Sequence, residues 1–217
     1  MKEKITNRAI IKFLKSKFKT ASFVDGLKIK YRSLICPFIP LLKMIEPGDQ
    51  VADVGCGSGQ FLLLASEFAN PQSVYGVEIS DKLIDNARTL FSDMPKGFYH
   101  FEKFDGVTFP ARLAEVDIIF LIDVLHHVPF VNQEDFIRDL IRAMRPGTRL
   151  VLKDINAASP LVYCNKFHDM IFAGEMGYEM KMKDALALME KYGLKILSKE
   201  KRRMYVYPHY CIVGQKK

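Results

Sequence analysis

Three glycines at alternate positions follow a carboxylate, and their spacing is that of a ligand-binding loop. Gly55, Gly57 and Gly59 come after a short β-prone run that contains Asp53, and the apolar stretch 61–65 follows them. Glycine lets the backbone turn sharply and lets a ligand approach it closely. The first N–H groups of a helix have no partners within that helix and can point at such a ligand. The pattern predicts a strand, a tight glycine loop and a helix.

The charge and spacing of the loop bear on which ligand it binds. A dinucleotide-binding loop places its third glycine three residues after the second. Gln60 occupies that position in this chain, and Gly59 arrives one residue earlier. The Asp53 carboxylate would repel an incoming pyrophosphate and would attract a cationic ligand. The loop therefore favours a cationic ligand, with a dinucleotide site and a turn without any ligand as the alternatives.

Further acidic residues follow the ends of later predicted strands. The second strand ends at Glu78, about one strand-helix-strand unit after the loop, and a carboxylate there can accept both hydroxyls of a ribose. After a third strand at residues 98–101, Asp105 is either a turn residue or a ligand contact. A fourth strand, apolar throughout and so buried on both faces, ends at Asp123. Their position in this series favours a ligand-binding role for these carboxylates.

Taken in order, these landmarks resemble the motifs of class I (Rossmann-like) S-adenosylmethionine-dependent methyltransferases. The segment from Asp53 to Gly59 is similar to motif I and the segment from Asp123 to Val128 to motif IV, and the resemblance covers residues 51–154. It implies that S-adenosyl-L-methionine is the cofactor and that Asp105 lies against the adenine amino group. The implied cofactor-binding residues are Asp53, Gly55, Cys56, Gly57, Gly59, Glu78, Ile79, Asp105 and Asp123.

The alternation of strands and helices defines the fold class. At this spacing it predicts an α/β fold with a doubly wound, mostly parallel sheet and helices on both faces. Two C-terminal strands, at residues 194–197 and 205–213, complete a seven-stranded sheet, and the resemblance implies that the last strand is antiparallel. Residues 1–45 are predicted to form a basic N-terminal helical arm or lid, and residues 46–217 the methyltransferase domain.

Length and composition limit the class of protein. A chain of 217 residues with 49% hydrophobic residues can bury one sizeable core. No apolar run reaches the roughly 18 residues that a membrane-spanning helix needs, and the charged N-terminus is unlike a secretory signal. The four cysteines show neither a Cys-x-x-Cys pair nor metal-ligand spacing. We therefore expect no metal, no transmembrane segment, and a cytoplasmic protein with reduced thiols.

Positive charge is concentrated in the N-terminal arm. The chain carries a net charge of +7, and its first 32 residues hold the excess of Lys and Arg. Such a basic helical face is either exposed to solvent or binds an anionic lipid surface, an acidic carrier protein or RNA. RNA is the least favoured of these because no aromatic residues alternate with the basic ones. The residues on this face are Lys4, Arg8, Lys12, Lys15 and Lys19.

An insert at about residues 154–183, after the fifth strand, is the predicted acceptor site. Ligands of open α/β sheets bind beyond the carboxyl ends of the strands. The insert contains polar residues and four methionines, which adapt to irregular apolar groups, although packing under a long loop explains the methionines equally well. The fourth strand lacks the proline pair typical of nucleobase methyltransferases. We therefore expect a small-molecule or lipid-like acceptor that is methylated on oxygen.

Removing a proton from such an acceptor requires a base near the methyl donor. Histidine suits this role at neutral pH, and His126 and His127 follow the fourth strand. His127 is favoured because similar enzymes place a single histidine directly before Val-Pro. His168 in the insert and Asp154 after the fifth strand are the other candidates. Alternatively, the histidine only fixes its loop, or the acceptor is already ionised and needs no base.

Two other functions stay open. The chain could methylate RNA, with the basic arm as the RNA contact. It could also be a catalytically inactive, cofactor-binding partner subunit, because a glycine loop binds its ligand whether or not transfer follows.

Overall fold

The computed structural model describes residues 5–17, 35–163, 166, 170 and 177–217. Its helices are α1 (Asn7–Lys17), α2 (Phe38–Leu42), α3 (Gln60–Phe68), α4 (Asp81–Leu90), α5 (Gln133–Ala143) and α6 (Met182–Lys191). Its strands are β1 (Gln50–Val54), β2 (Ser73–Glu78), β3 (Tyr99–Lys103), β4 (Ile118–Ile122), β5 (Arg149–Ile155), β6 (Leu194–Met204) and β7 (Tyr207–Lys216). Short 3-10 helices at Ala111–Ala114, Leu125–His127 and Phe130–Asn132 lie in the connections.

Within the described residues, seven strands form one sheet in the order β3-β2-β1-β4-β5-β7-β6. The pairs from β3 to β5 are parallel, whereas β7 is antiparallel to both β5 and β6. The winding reverses between β1 and β4, so the loops that follow these two strands meet at the switch point where open α/β sheets bind ligands. The predicted doubly wound, mostly parallel sheet is confirmed, including its antiparallel last strand.

Helices cover both faces of the sheet, and each face has its own apolar core. Helices α1 to α4 pack on one face, where Leu62 and Phe91 are fully buried. Helices α5 and α6 pack on the other, where Leu140 and Met189 are fully buried. β4 lies between the two cores and is buried on both sides, which explains its unbroken apolar sequence. None of the helices in the described residues is long and apolar enough to cross a membrane.

Helix α1 packs on the sheet through its apolar side. Ile10 and Leu14 are buried in the first core, and the Phe13 ring meets the Phe68 ring edge-on. The members of the basic face that the structure describes are exposed, and they are Arg8, Lys12 and Lys15. Lys4 and Lys19 lie outside the described residues. A role for this arm as a lid or as a docking surface stays a prediction.

The sixth strand is longer than its apolar pattern predicts. That pattern stops at Leu197, but β6 continues to Met204 after a β-bulge between Ile196 and Ser198. Residues 197–203 are all exposed, so no alternation of apolar and polar side chains marks them as a strand. Backbone hydrogen bonds to β7 hold this part of β6 instead. The predicted end of the strand at residue 197 is therefore wrong.

Candidate active site

The glycine loop between β1 and α3 turns over the end of β2. The N–H groups of Gly55 and Cys56 both donate to the Val77 carbonyl, at 2.7 and 3.1 Å. All three glycines of the loop have φ between 55 and 78°, a region that L side chains rarely adopt. A Cβ at residue 55 would also overlap a methyl group of Val124. The loop needs glycine for its conformation and for its close contact with the segment after β4.

Three backbone N–H groups fix the Glu78 carboxylate beside this loop. Its Oε2 accepts from Gly57 at 2.9 Å, and its Oε1 accepts from Ile79 at 2.9 Å and from Ser80 at 3.1 Å. The residue is buried, so these bonds determine its direction. A carboxylate has about four acceptor positions, and these bonds use three of them. Glu78 can therefore accept a further bond from a ligand hydroxyl.

The other predicted cofactor-binding residues lie at different depths around the loop. Asp53 is buried in β1, whereas the Ile79 side chain is 63% exposed. Asp105 is exposed, and its Oδ1 accepts from the N–H groups of Thr108 at 2.6 Å and Val107 at 2.8 Å. These bonds lower the pKa of the Asp105 carboxyl. Asp105 therefore stabilises a turn, and its contact with adenine stays a prediction.

Asp123 and Lys153 form an ion pair at the end of β4. Lys153 is fully buried in β5, and its Nζ lies 2.5 Å from Oδ1 of Asp123, whose side chain is 26% exposed. Burial opposes ionisation of Asp123, but the Lys153 ammonium outweighs it and holds the pKa of that carboxyl below its usual range. Asp123 also has a φ of 55°, which Asp and Asn adopt more readily than most residues. The pair holds the first residue after β4 in an unusual conformation.

His126 contacts Asp154, one of the residues that the sequence predicts to be catalytic. Oδ1 of Asp154 lies 2.6 Å from Nδ1 of His126, and Oδ2 accepts from the His126 backbone N–H at 3.2 Å. Both side chains are almost completely buried. His127 is exposed, and its ring centroid lies 4.1 Å from that of His126. The two histidines are thus adjacent, and the inner one bonds Asp154. His168 lies outside the described residues.

A buried glutamine joins the histidine loop to the insert after β5. The amide nitrogen of Gln133 lies 3.0 Å from the carbonyl oxygen of Leu125, 3.1 Å from that of Val128 and 2.6 Å from that of Tyr178. The Tyr178 N–H donates in turn to the His126 carbonyl at 2.7 Å. The insert and the histidine loop are therefore held together at the carboxyl edge of the sheet.

The sequence matches the family described as methyltransferase domain over residues 28–199. The chain belongs to this methyltransferase family. A solved structure with the same fold is magnesium protoporphyrin IX methyltransferase from Synechocystis PCC 6803 with bound S-adenosylhomocysteine. It has a TM-score of 0.68 and 20% identity, and the match covers 93% of this chain and 94% of that one.

Curated relatives match about half of the methyltransferase. It is 33% identical over 112 residues to 27-O-demethylrifamycin SV methyltransferase of Amycolatopsis mediterranei, which is 51% of this chain and 40% of that protein. It is 32% identical over 110 residues to the tRNA U34 carboxymethyltransferase of Idiomarina loihiensis, which is 50% of this chain and 33% of that protein. The matched region is therefore less than half of either relative.

The family confirms the predicted cofactor, S-adenosylmethionine, and the methyltransferase loop fits it. The positive φ angles of its three glycines let the loop turn sharply, so that its backbone can approach a ligand closely. Glu78 offers a fixed acceptor for the ribose, and the exposed Ile79 offers an apolar surface beside it. Asp53 contributes a buried negative charge that complements a cationic ligand. The assignment of individual residues to this site stays a prediction.

The sequence alone does not identify two polar residues of β7. His209 is buried, and its Nε2 donates to the Ile35 carbonyl at 2.9 Å. Tyr210 is fully buried opposite Asp154. The pKa of its hydroxyl is raised mainly by burial and, to a smaller extent, by the nearby carboxylates. The available signal is the adjacent Lys153 and Asp154 within an apolar strand, because buried charges need polar partners on the neighbouring strands. The polar cluster at this edge comprises Asp123, His126, Lys153, Asp154, His209 and Tyr210.

Glu78→Gln is expected to weaken the binding of S-adenosylhomocysteine at least tenfold. The amide loses the charge that strengthens a bond to a ribose hydroxyl, and such bonds contribute roughly 1.5–3 kcal/mol each. Isothermal titration calorimetry would measure the change. Asp81→Asn is the matched control, because its carboxylate lies nearby in the first turn of α4 but is 71% exposed. Equal affinity of Glu78→Gln and wild type would remove Glu78 from the cofactor site.

His209 is expected to make the methyltransferase less stable as the pH falls from about 6.5 to 4. Burial, followed by the Lys153 charge, lowers the pKa of His209 from 6.5 to about 4. In this window the unfolded chain binds a proton that the folded chain does not, so stability is present above pH 6.5 and is lost on acidification. Between pH 7.5 and 5 the wild type should lose ~2 kcal/mol more than His209→Gln in urea unfolding. Equal losses would mean that His209 has the same pKa in the folded and in the unfolded chain.

Proposed function

We propose that this methyltransferase transfers a methyl group from S-adenosylmethionine to a hydroxyl of a small-molecule or lipid-like acceptor. The observation that carries the proposal is the buried His126–Asp154 pair at the carboxyl edge of the sheet. The contact between Gly55 and Val124 brings the glycine loop to the same segment. A hydroxyl keeps its proton at neutral pH and so requires a base, whereas a carboxylic acid does not.

The residues of the chain have separate tasks in this reaction. S-adenosylmethionine, when bound, supplies a methyl group that its sulfonium makes electrophilic. The glycine loop and Glu78 hold the donor, so that donor and acceptor meet in a fixed orientation. Asp154 accepts from Nδ1–H of His126, and in this proposal Nε2 of the same ring takes the acceptor's proton. The carboxylate also stabilises the positive charge that the imidazole gains.

The exposed His127 has a place in this proposal beside His126. It was the favoured base from the sequence, and its ring contacts the His126 ring. His126 has the carboxylate that orients a base, whereas His127 has the greater access to solvent and to an incoming acceptor. We assign the proton transfer to His126 and a contact with the acceptor to His127.

The side chains around the histidine loop support an apolar acceptor. Phe130 and Val131 follow the loop and are 70% and 82% exposed, and Tyr178 of the insert is 49% exposed. Two of the methionines considered from the sequence, Met180 and Met182, are instead buried in the second core, so ordinary packing explains them. The relative from Amycolatopsis mediterranei is named for methylation on oxygen, which supports a hydroxyl as the accepting group.

RNA methylation is the second candidate function. The relative from Idiomarina loihiensis is named for a reaction on tRNA, and the described basic residues of α1 are exposed. The small-molecule proposal is preferred because the exposed side chains that directly follow the histidine loop, Phe130 and Val131, are apolar. An inactive, cofactor-binding partner subunit would share the glycine loop and differ only in turnover.

Labelling separates these functions. Calorimetry should first show binding of S-adenosylhomocysteine and none of a nicotinamide dinucleotide. Incubation with S-adenosylmethionine labelled on its methyl group and a cell extract, divided into lipid, small-molecule and RNA fractions, should then place the label in one of the first two. Label in RNA would support the second function, and binding without transfer to any fraction would support the inactive subunit. Tight nicotinamide binding alone would overturn the proposal altogether.

A further inference from the structure

Exposed large apolar side chains are concentrated at one edge of the methyltransferase. In the described part of the chain, all of them except Leu197 lie in segments at the carboxyl edge of the parallel strands. They include Phe130 and Val131 after β4, and Tyr205 and Val206 in the turn between β6 and β7. Single exposed apolar residues are usual on a protein surface, but their restriction to one edge indicates a surface that meets an apolar phase.

The turn between β6 and β7 presents two of these side chains on a strained backbone. It has two residues, Tyr205 and Val206, which are 72% and 44% exposed. Tyr205 has a φ of 54°, and the central positions of such turns are usually filled by Gly, Asn or Asp. A bulky aromatic residue here costs conformational energy, and in the described structure most of the Tyr205 side chain stays exposed. Strain of this kind is an indication of function.

Basic side chains lie directly behind this turn on β6. Lys199, Lys201 and Arg203 pair with Ile212, Tyr210 and Pro208 of β7, so alternation places the three on one face of the strand. Arg202 lies on the other face, near Glu200. Residues 199–203 comprise four basic residues and one acidic residue, and all five are exposed.

We propose that the β6–β7 hairpin docks this methyltransferase on an anionic lipid bilayer. Tyr205 and Val206 enter the headgroup region, where an aromatic residue with a polar tip is favoured. Lys201 and Arg203, which share one face of β6, contact the lipid phosphates. A bilayer suits the pattern better than RNA. Val206 is aliphatic and cannot stack on a nucleobase, whereas it can be buried among lipid acyl chains.

Docking in this way would orient the active site toward the membrane. β7 begins at Tyr207, which packs with Ile155 at the end of β5, so the turn lies at the same edge as the histidine loop and the glycine loop. An acceptor within the bilayer could then reach the site without crossing water. The inference concerns a binding surface and does not depend on the proposed reaction, because vesicle binding is measured without a methyl donor.

Flotation of the full chain with vesicles tests the inference. Wild type should bind vesicles of phosphatidylcholine with 30% phosphatidylglycerol and should bind phosphatidylcholine alone much less. Lys201→Gln/Arg203→Gln should reduce the partition coefficient about 25-fold, since each basic residue near an anionic surface is worth about fivefold. Tyr205→Gly/Val206→Ser should also reduce it, although glycine relieves the positive φ and should leave the melting temperature unchanged or higher.

The matched control removes two charges from the N-terminal arm. Lys12→Gln/Lys15→Gln changes the net charge equally on another exposed surface, and it should reduce vesicle binding less than the hairpin variant does. A larger loss in the arm variant would move the docking surface to α1 and overturn the inference. So would wild-type binding that is equal for neutral and anionic vesicles, or hairpin-dependent binding to tRNA with none to vesicles.

Discussion

Asp154→Asn is expected to lower the rate of methyl transfer by about 10²- to 10⁴-fold, the usual contribution of a general base. The amide keeps the size of the side chain but cannot accept from both His126 Nδ1–H and the backbone N–H groups that the two oxygens now serve. It also cannot stabilise the imidazolium. Turnover would be measured with the acceptor that labelling identifies.

Calorimetry and a pair of histidine variants distinguish a role in proton transfer from a loss of structure. Asp154→Asn should bind S-adenosylhomocysteine within a few-fold of wild type, because Asp154 has no contact with the glycine loop among its hydrogen bonds. His126→Gln should lose as much turnover as Asp154→Asn, and His127→Gln less. If His127→Gln shows the larger loss, the outer histidine is the base. If neither loses turnover, the acceptor is already ionised.

The sequence predicts β1, β2 and the helices that follow them well, because the glycine loop and the strand ends beside it require a particular backbone. A strand that ends before Gly55 and a carboxylate at Glu78 leave few alternatives for the first two β-α units. The end of β6 is different. Residues 199–203 are charged and are exposed on both faces of the strand. Their strand conformation therefore depends on pairing with β7, and the local sequence pattern of β6 does not reveal that pairing.

The same distinction applies to the candidate site. The predicted cofactor-binding residues Gly57 and Glu78 follow from the local spacing of the sequence. The choice between His126 and His127 does not, because it depends on which ring meets Asp154 from the neighbouring strand. His209 is even harder to predict, because it is distant in sequence from the other site residues: β7 joins the sheet beside β5 only after the insert and α6. Contacts between residues that are far apart in the chain produce no regular spacing in the sequence, so they cannot be predicted from it.

Asp123→Asn is expected to destabilise the methyltransferase by about 3–5 kcal/mol, the usual cost of leaving a buried charge without its partner. Lys153 is fully buried, and its Nζ contacts Oδ1 of Asp123 at 2.5 Å, so the variant leaves a buried ammonium group without the carboxylate that it contacts. Asparagine accepts the positive φ of this position about as well as aspartate does. The change therefore tests the charge and not the backbone, and urea unfolding without ligand would measure it.

A double-mutant cycle separates the pair from its surroundings. Lys153→Met should cost less than Asp123→Asn, because the carboxylate it leaves behind is partly exposed and can be hydrated. The double variant should be more stable than Asp123→Asn alone, since a buried ion pair replaced by uncharged groups of similar size is often neutral in stability. If Asp123→Asn costs less than about 0.5 kcal/mol, Lys153 has another partner in solution. In that case a different group must hold the first residue after β4, and with it the position of the histidine loop.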